Sequence, residues 1–221
     1  MKNKHYCILL GLITLATSAF SQNTSKEVSI FSIHAGPSRY MGKLIGITNY
    51  SDHYKDDLRD GFEWNMSYYY LGDQYIFNSW RLAPGVIYQG GRFQNTEENN
   101  SDKIWMHYFA PQLGLFMVKQ KYSLSLSAGL GYQFYKDRST VYNKPRDVSM
   151  NKVAYNLSAG GEYFFSPQWG ISARLSWIIS NSDSYSVKYH GQRWQVELPN
   201  SNEGSGDYSR LSLLIGLNYH F

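Results

Sequence analysis

The final stretch of the chain, Asp207 to Phe221, restricts the fold more than any other. It reads DYSRLSLLIGLNYHF, with Leu211, Leu213, Ile215, Leu217, Tyr219 and Phe221 alternating against Arg210, Ser212, Gly216, Asn218 and His220. Only Leu214 breaks the alternation. Successive side chains of a strand point to opposite faces, so this segment is a ribbon with one apolar and one polar face.

The same grammar recurs upstream. Alternating segments run over about Glu27 to Gly36, Gly61 to Leu71, Phe77 to Gln89, Ile104 to Val118, Tyr122 to Tyr135, Val153 to Phe165 and Trp169 to Ser180. With the terminal segment they make eight expected strands. The cleanest is Tyr122 to Tyr135, where Leu124, Leu126, Ala128, Leu130, Tyr132 and Phe134 oppose Ser123, Ser125, Ser127, Gly129, Gly131 and Gln133. The segment Ile104 to Val118 is apolar on both faces, which leaves its register open. Connections alternate in length. Short ones are expected at Gly72 to Gln74, Lys119 to Lys121 and Ser166 to Gln168, and long polar loops at Pro37 to Asp60, Gly90 to Lys103, Lys136 to Lys152 and Asn181 to Gly206.

Residues 1–21 follow a different rule. Lys2, Lys4 and His5 precede an apolar core, Ile8 to Ala16, and Ala19-Phe20-Ser21 is a small-x-small site before Gln22. That is the pattern of a cleaved secretory signal peptide, leaving residues 22–221 as one mature domain. The sole cysteine, Cys7, goes with it, so the mature chain has no thiol for disulfides or metal. Losing Lys2 and Lys4 takes the formal net charge from +4 to +2, too mild to argue for nucleic acid. No apolar run in the body reaches the roughly 20 residues of a spanning helix.

The polar faces decide between a soluble and a membrane barrel. A water-facing strand surface carries Lys and Glu, whereas Tyr122 to Tyr135 has no charge at all. Small polar residues suit the tight interior of eight strands, and the continuous bulky apolar faces suit lipid. The expectation is an all-β, eight-stranded antiparallel up-and-down transmembrane β-barrel. Its aromatics should form two belts, Tyr122, Phe165, Trp169, Tyr219 and Phe221 by the short turns, and Phe62, Trp64, Tyr88, Trp105, Tyr132, Phe134, Tyr155 and Trp177 by the long loops.

The terminal aromatic-x-aromatic with its glycine, the Gly61-Phe62 opening, Leu82-Ala83-Pro84-Gly85 with Tyr88, and Pro167 to Gly170 carry a resemblance. The mature chain resembles the small outer-membrane β-barrel domain family (porin-like, Bacteroidota type) and, in architecture, OmpA- and OmpX-type barrels. The resemblance implies a bacterial outer-membrane location with both termini periplasmic, contact with outer-membrane lipid and lipopolysaccharide, and the barrel-assembly machinery as a biogenesis partner. It implies that Gly216, Tyr219 and Phe221 form the assembly signal. It implies no catalytic set and no cofactor, because fold alone does not give function.

Five charges fall on the inward face: Glu63, Arg81, Glu162, Arg174 and Arg210. Buried charges must pair or be hydrated. Glu162 should lie opposite Ser172, one diagonal from Arg174, so an interior salt-bridge plug with Arg81, Arg174 and Glu162 at mid-lumen is the expectation. A gated polar path is the alternative. Ser51-Asp52-His53 has residue types for a nucleophile and base, but neighbours in one loop seldom converge as a triad, and no two histidines share metal-ligand spacing. Arg138, Lys144 and Arg146 are candidate contacts for lipopolysaccharide phosphates. Ser186 to Tyr189 and Trp194 to Leu198 read as an extramembrane hairpin, with Trp194 a candidate contact for an extracellular protein or glycan. The functional expectation is a non-enzymatic barrel with a structural or surface-interaction role. The alternatives are a narrow channel for small solutes, an accessory barrel of a secretion machine and, third, a lipid A-modifying enzyme.

Overall fold

A computed structural model describes residues 28–42, 51–73, 75–77, 79–98, 100–198 and 206–221. The expected leader, residues 1–21, and parts of two expected long loops, 43–50 and 199–205, lie outside the described residues.

The elements are β1 (Val28–Tyr40), α1 (Asp52–Arg59), β2 (Asp60–Leu71), β3 (Tyr75–Phe77), β4 (Trp80–Glu97), β5 (Asn100–Val118), β6 (Tyr122–Val141), β7 (Lys144–Phe164) and β8 (Trp169–Ile179). They continue with β9 (Asn181–Ser182), β10 (Ser184–Tyr189), β11 (Gln192–Glu197), β12 (Gly206–Asp207) and β13 (Arg210–His220). Strands β1, β2, β4, β5, β6, β7, β8 and β13 pair in sequence, and β13 returns to β1, which closes an antiparallel ring of eight. Closure leaves no unpaired edge within the ring, the condition for strands in hydrocarbon. The segments marked by alternation are these eight strands.

The expected long loops at Gly90 to Lys103 and Lys136 to Lys152 are corrected. They are continuous strand, with β4–β5 paired up to Glu97↔Asn100 and β6–β7 up to Val141↔Lys144. The second hairpin closes on Tyr142 and Asn143, both at positive φ (50° and 62°), and the β10–β11 hairpin closes on His190 and Gly191 (54° and 81°). Two central residues at positive φ make the turn whose twist matches that of the strands. The expected loop Pro37 to Asp60 instead contains the end of β1 and the helix α1. Ser51 caps that helix by accepting from the Tyr54 amide at 3.1 Å, and Asp52 and Arg59 lie at the ends that suit their charges. At the other end of the barrel, pairing of β2 with β4 stops at Tyr69↔Gly85, beside Pro84, which has no N–H to offer; β3 then pairs with β4 at Arg81. The expected three-residue turn at Gly72 is therefore a longer connection.

Side-chain polarity inverts along the barrel. On β6, Leu124 to Phe134 face outward over a lining of Ser and Gly; then Lys136 and Arg138 face outward and Tyr135 turns in. Above the lining, Tyr40, Tyr54, Leu58, Phe93, Ile104, Met106, Tyr135, Val148, Met150, Val187 and Tyr208 pack into one buried apolar cluster. Helix α1 lays Tyr54 and Leu58, one turn apart, onto this cluster.

Candidate functional site in and above the lumen

The lumen is crossed by a chain of polar side chains built on the inward positions. At its centre Arg210, fully buried, donates from Nε to Glu63 Oε1, also fully buried, and from Nη1 to Gln133 Oε1 at 2.7 Å. Gln89 Nε2 donates to Glu63 Oε2 at 2.6 Å, and Ser212, hydrogen-bonded to the same oxygen, lies 3.0 Å from Ser38. From Gln89 the chain continues through Ser176 (3.1 Å) to Asn156 (2.9 Å). Arg174 Nη1 donates to Ser67 at 3.1 Å. Nearer the short turns, His220 Nε2 lies 2.7 Å from Glu162 Oε1, and Ser123 donates to Glu162 Oε2 at 2.8 Å.

Glycines give the two acids their space. Gly91 stands opposite Glu63 on β4, where a Cβ would come within 2.8 Å of the Glu63 carboxylate; a Cβ on Gly170 would overlap the Glu162 carboxylate. The space left over is small. The cavity between His34, Ser123, Glu162, Ser172, Arg174 and Asn218 measures about 10 Å³, no more than one water.

Glu162 does lie opposite Ser172, but its partners are His220 and Ser123, while Arg174 turns to Ser67. Arg81 is placed away from mid-lumen. It sits opposite Phe116 near the end of β5, donates to the Tyr75 hydroxyl at 2.8 Å and stacks 4.9 Å from that ring. The reach of β3 draws it to the rim. Glu63 and Arg210 were both legible as inward charges, but their mutual pairing was not, because β1 stands between their strands. Gly36, opposite Glu63 on β1, presents no side chain between them.

Sequence reading missed a second grouping. Ser172 Oγ lies 2.7 Å from His34 Nε2, and His34 Nδ1 lies 3.1 Å from Asn65 Oδ1. The order nucleophile, base, orienter is that of a catalytic triad. All three are buried, Ser172 also donates to Asn218 at 3.1 Å, and the 10 Å³ beside them admits no substrate. The loop trio is separated by its own helix: Ser51 is the cap, and His53 faces Asp57 on the surface at 3.5 Å.

Above the lumen, Arg146 bends inward over the apolar cluster. Its Nη2 lies 3.2 Å from Asp102 and 3.6 Å from Asp137, and its Nε donates to Ser139 at 2.8 Å. Tyr54 donates to Asp102 at 2.7 Å, tying α1 to the same group. Burial, then the charge of Asp102, push the Asp137 carboxyl up to about 8, against the pull of Arg146. Arg146 is thus withdrawn from the surface on which sequence reading set it. Arg138 and Lys144 are exposed, and Trp194 is 43% exposed on β11 opposite Val187. At the carboxyl end, Tyr219 packs on Trp169 (4.8 Å) and Phe221 (5.5 Å), Phe221 exchanges backbone hydrogen bonds with Ser29, and Gly216 abuts the Ile33 carbonyl.

A family model described as outer membrane protein beta-barrel domain matches residues 7–221. No curated protein matches the chain. Among solved structures, the outer membrane protein OprG from Pseudomonas aeruginosa aligns with a TM-score of 0.56 at 9% identity, over 89% of this chain and 97% of that one. A major outer membrane protein from Thermus thermophilus aligns at 0.53 and 13% identity, over 87% and 99%. The outer membrane protease OmpT from Escherichia coli aligns at 0.48 and 10% identity, over 91% and 99%. The first two share the fold; the third is too distant in structure to carry its activity across.

Proposed function

Because the chain belongs to the outer membrane protein beta-barrel domain family, whose members sit in the bacterial outer membrane, we propose that it acts as a closed barrel that displays rigid hairpins at the cell surface. It neither conducts solutes nor catalyses a reaction. The observation that carries this is the doubly stopped lumen: the Arg210–Glu63 network fills its middle, and the apolar cluster under α1 seals its upper end. Eight strands leave room only for side chains, and here they fill it. The triad-like Ser172, His34 and Asn65 serve the same filling.

In this reading the extended hairpins face outward and both termini lie in the periplasm. The asymmetry between the ends supports it, since the β5–β6 and β7–β8 turns are short while the opposite ends extend. Residues 1–21 are a leader removed on export, so the intact mass of purified protein should begin at Gln22. Gly216, Tyr219 and Phe221 act as the assembly signal. The β10–β11 hairpin, with Trp194 at its face, is the contact for an extracellular protein or glycan.

Planar bilayers test the closed state. No steady ohmic conductance is expected from the refolded protein. Reproducible porin-sized steps from independent preparations would replace this reading with the narrow channel.

A further inference from the structure

Four cations stand on the outside of the barrel within three neighbouring strands. Arg92 on β4, Lys103 on β5, and Lys136 and Arg138 on β6 are all exposed. Pairing sets Arg92 beside Trp105 and Trp105 beside Lys136; one level higher, Lys103 lies beside Arg138. These are positions on regular, fully paired strand, so the side chains project from a fixed frame.

At the level of Arg92 and Lys136 and below lies an aromatic floor. Trp105 packs edge-on against Trp64 at 6.5 Å and stacks with His107 at 6.5 Å, and His107 Nδ1 lies 2.9 Å from the Tyr88 hydroxyl. Phe134 is next to His107 on β6. Trp105 rises between two open clefts. The first, about 690 Å³, is lined by Phe62, Trp64, Arg92 and Gln94; the second, about 460 Å³, by His107, Phe134, Lys136 and Arg138. The first cleft has Arg92 and Asp60 at its upper rim, the second Lys136 and Arg138, and both have aromatic rings below.

The charge is local and in excess. Among the described residues, none of the four cations forms an ion pair. Asp60, at the edge of the first cleft, is held by Arg39 at 2.8 Å, and Asp147 stands across from Arg138 as the one opposing acid beside the group. The adjoining strand β7 offers Ser149 and Asn151 at the same height. Cations are thus gathered on one sector of the barrel, at the level where the apolar belt ends.

We propose that this sector is a binding site for the phosphorylated saccharide headgroup of an acylated outer-leaflet lipid. Lys and Arg bind phosphate by charge-assisted hydrogen bonds, and aromatic rings at the membrane interface take the sugar and the first acyl carbons. Arg92, whose guanidinium lies 5.0 Å over the Trp105 ring, serves one cleft; Lys136 and Arg138 serve the other, and Lys103 stands above both. A headgroup bearing phosphates at two ends of a disaccharide spans Trp105 and meets both rims. The site rests on the outward orientation proposed above.

The test uses the full chain refolded in detergent and native mass spectrometry with purified bisphosphorylated lipid A. The comparison ligands are the same lipid after phosphatase treatment and inorganic phosphate. Wild-type protein should hold the phosphorylated lipid about tenfold more tightly than the dephosphorylated one. The Lys103→Gln, Lys136→Gln, Arg138→Gln triple variant should lose that preference, while Lys121→Gln at the opposite end retains it. Arg138→Lys, which keeps the charge, should retain most of it, and unchanged heat-modifiable migration shows that each variant is folded. Equal affinity for the two lipids, undiminished preference in the triple variant, or displacement of the lipid by millimolar inorganic phosphate would each overturn the proposal. Orientation is read separately, by labelling whole cells that carry Asn143→Cys or Gln120→Cys with an impermeant maleimide. Labelling at 120 alone would remove the orientation, whatever lipid binds in detergent.

Discussion

The lower and upper parts of this barrel solve opposite problems with the same strands. Below the level of Trp64 and Trp105 the outside is Leu, Ile, Phe and Tyr, and the inside is mostly Ser, Gly, Asn and Gln with two small apolar clusters among them, one around Tyr69 and Phe116 and one around Ile87 and Tyr108. Above it the outside is Lys, Arg and Asp, and the inside is Tyr, Phe, Ile, Met and Val. Strands β5, β6 and β7 pass through the inversion without a break in pairing. The lower part therefore depends on polar contacts within and lipid without, and the upper part on an ordinary apolar core in water. Each part should respond to changes that leave the other intact.

The largest effect is expected where the two parts meet, just above Trp64, where Arg210 reaches Met106 of the upper cluster. Glu63→Gln leaves Arg210, fully buried, without its counter-charge, which costs about 3–5 kcal/mol. Denaturant titration of the barrel refolded in lipid vesicles should show that loss. A change under about 1 kcal/mol would mean that water, and not Glu63, balances Arg210, and the two-part distinction would weaken. In the upper part, Phe93→Ala empties a fully buried position and costs about 3–5 kcal/mol of local stability. Its signature should differ. Proteases should cut the β4–β5 hairpin faster while heat-modifiable migration of the membrane part persists; loss of both together would make the barrel one cooperative unit.

This division also explains what could be read in the sequence. Within the lower part the outward face stays apolar on every ring strand while most inward positions are small or polar, so the ring strands and their inward charges were legible. Ile104 to Val118 looks apolar on both faces because Leu113 and Phe109 face out while Ile104 and Met106 at the inversion, and Tyr108, Ala110 and Phe116 below it, are buried inside. The upper strands read as loops because Lys136, Arg138, Arg146 and Asp147 look like solvated loop chemistry. Their turn, Tyr142-Asn143, has no glycine to announce two positive φ angles. Pairing is harder still. Glu162 opposite Ser172 follows from a turn and a count, whereas Glu162 with His220 crosses the intervening strand β8, and Glu63 with Arg210 crosses β1 and depends on how β13 closes the ring.

The next effect in size concerns depth. Ile215 is 61% exposed on β13, midway between Phe221 and the upper rim, and Leu211 lies nearer that rim. An arginine facing lipid costs about 2–4 kcal/mol at the midplane and about 0–1 kcal/mol near the interface. Ile215→Arg should therefore destabilise the lipid-refolded barrel clearly more than Leu211→Arg. Equal, large losses at both positions would mean that this face is a core, as the upper interior is, and would turn the lower part inside out.

The smallest effect should be a pH dependence confined to the upper part. Asp137 is buried beside Asp102, with Arg146 within reach of both and offsetting part of their repulsion. Its carboxyl holds a proton up to about pH 8 when folded, against an ordinary value of 3.8 when unfolded. Between those values the folded state binds more protons, so the contribution of this group is complete below pH 3.8 and is lost as pH rises through about 8. Amide exchange in the β6–β7 hairpin, corrected for its intrinsic pH dependence, should thus reveal easier opening at about pH 9 than at about pH 6. The strand residues in lipid should show no such change. Asp137→Asn keeps the shape without the titration and should flatten the profile of the hairpin. If the variant opens as readily at high pH as the wild type does, the Asp102–Asp137–Arg146 group is hydrated, and the seal over the lumen owes its closure to the apolar cluster alone.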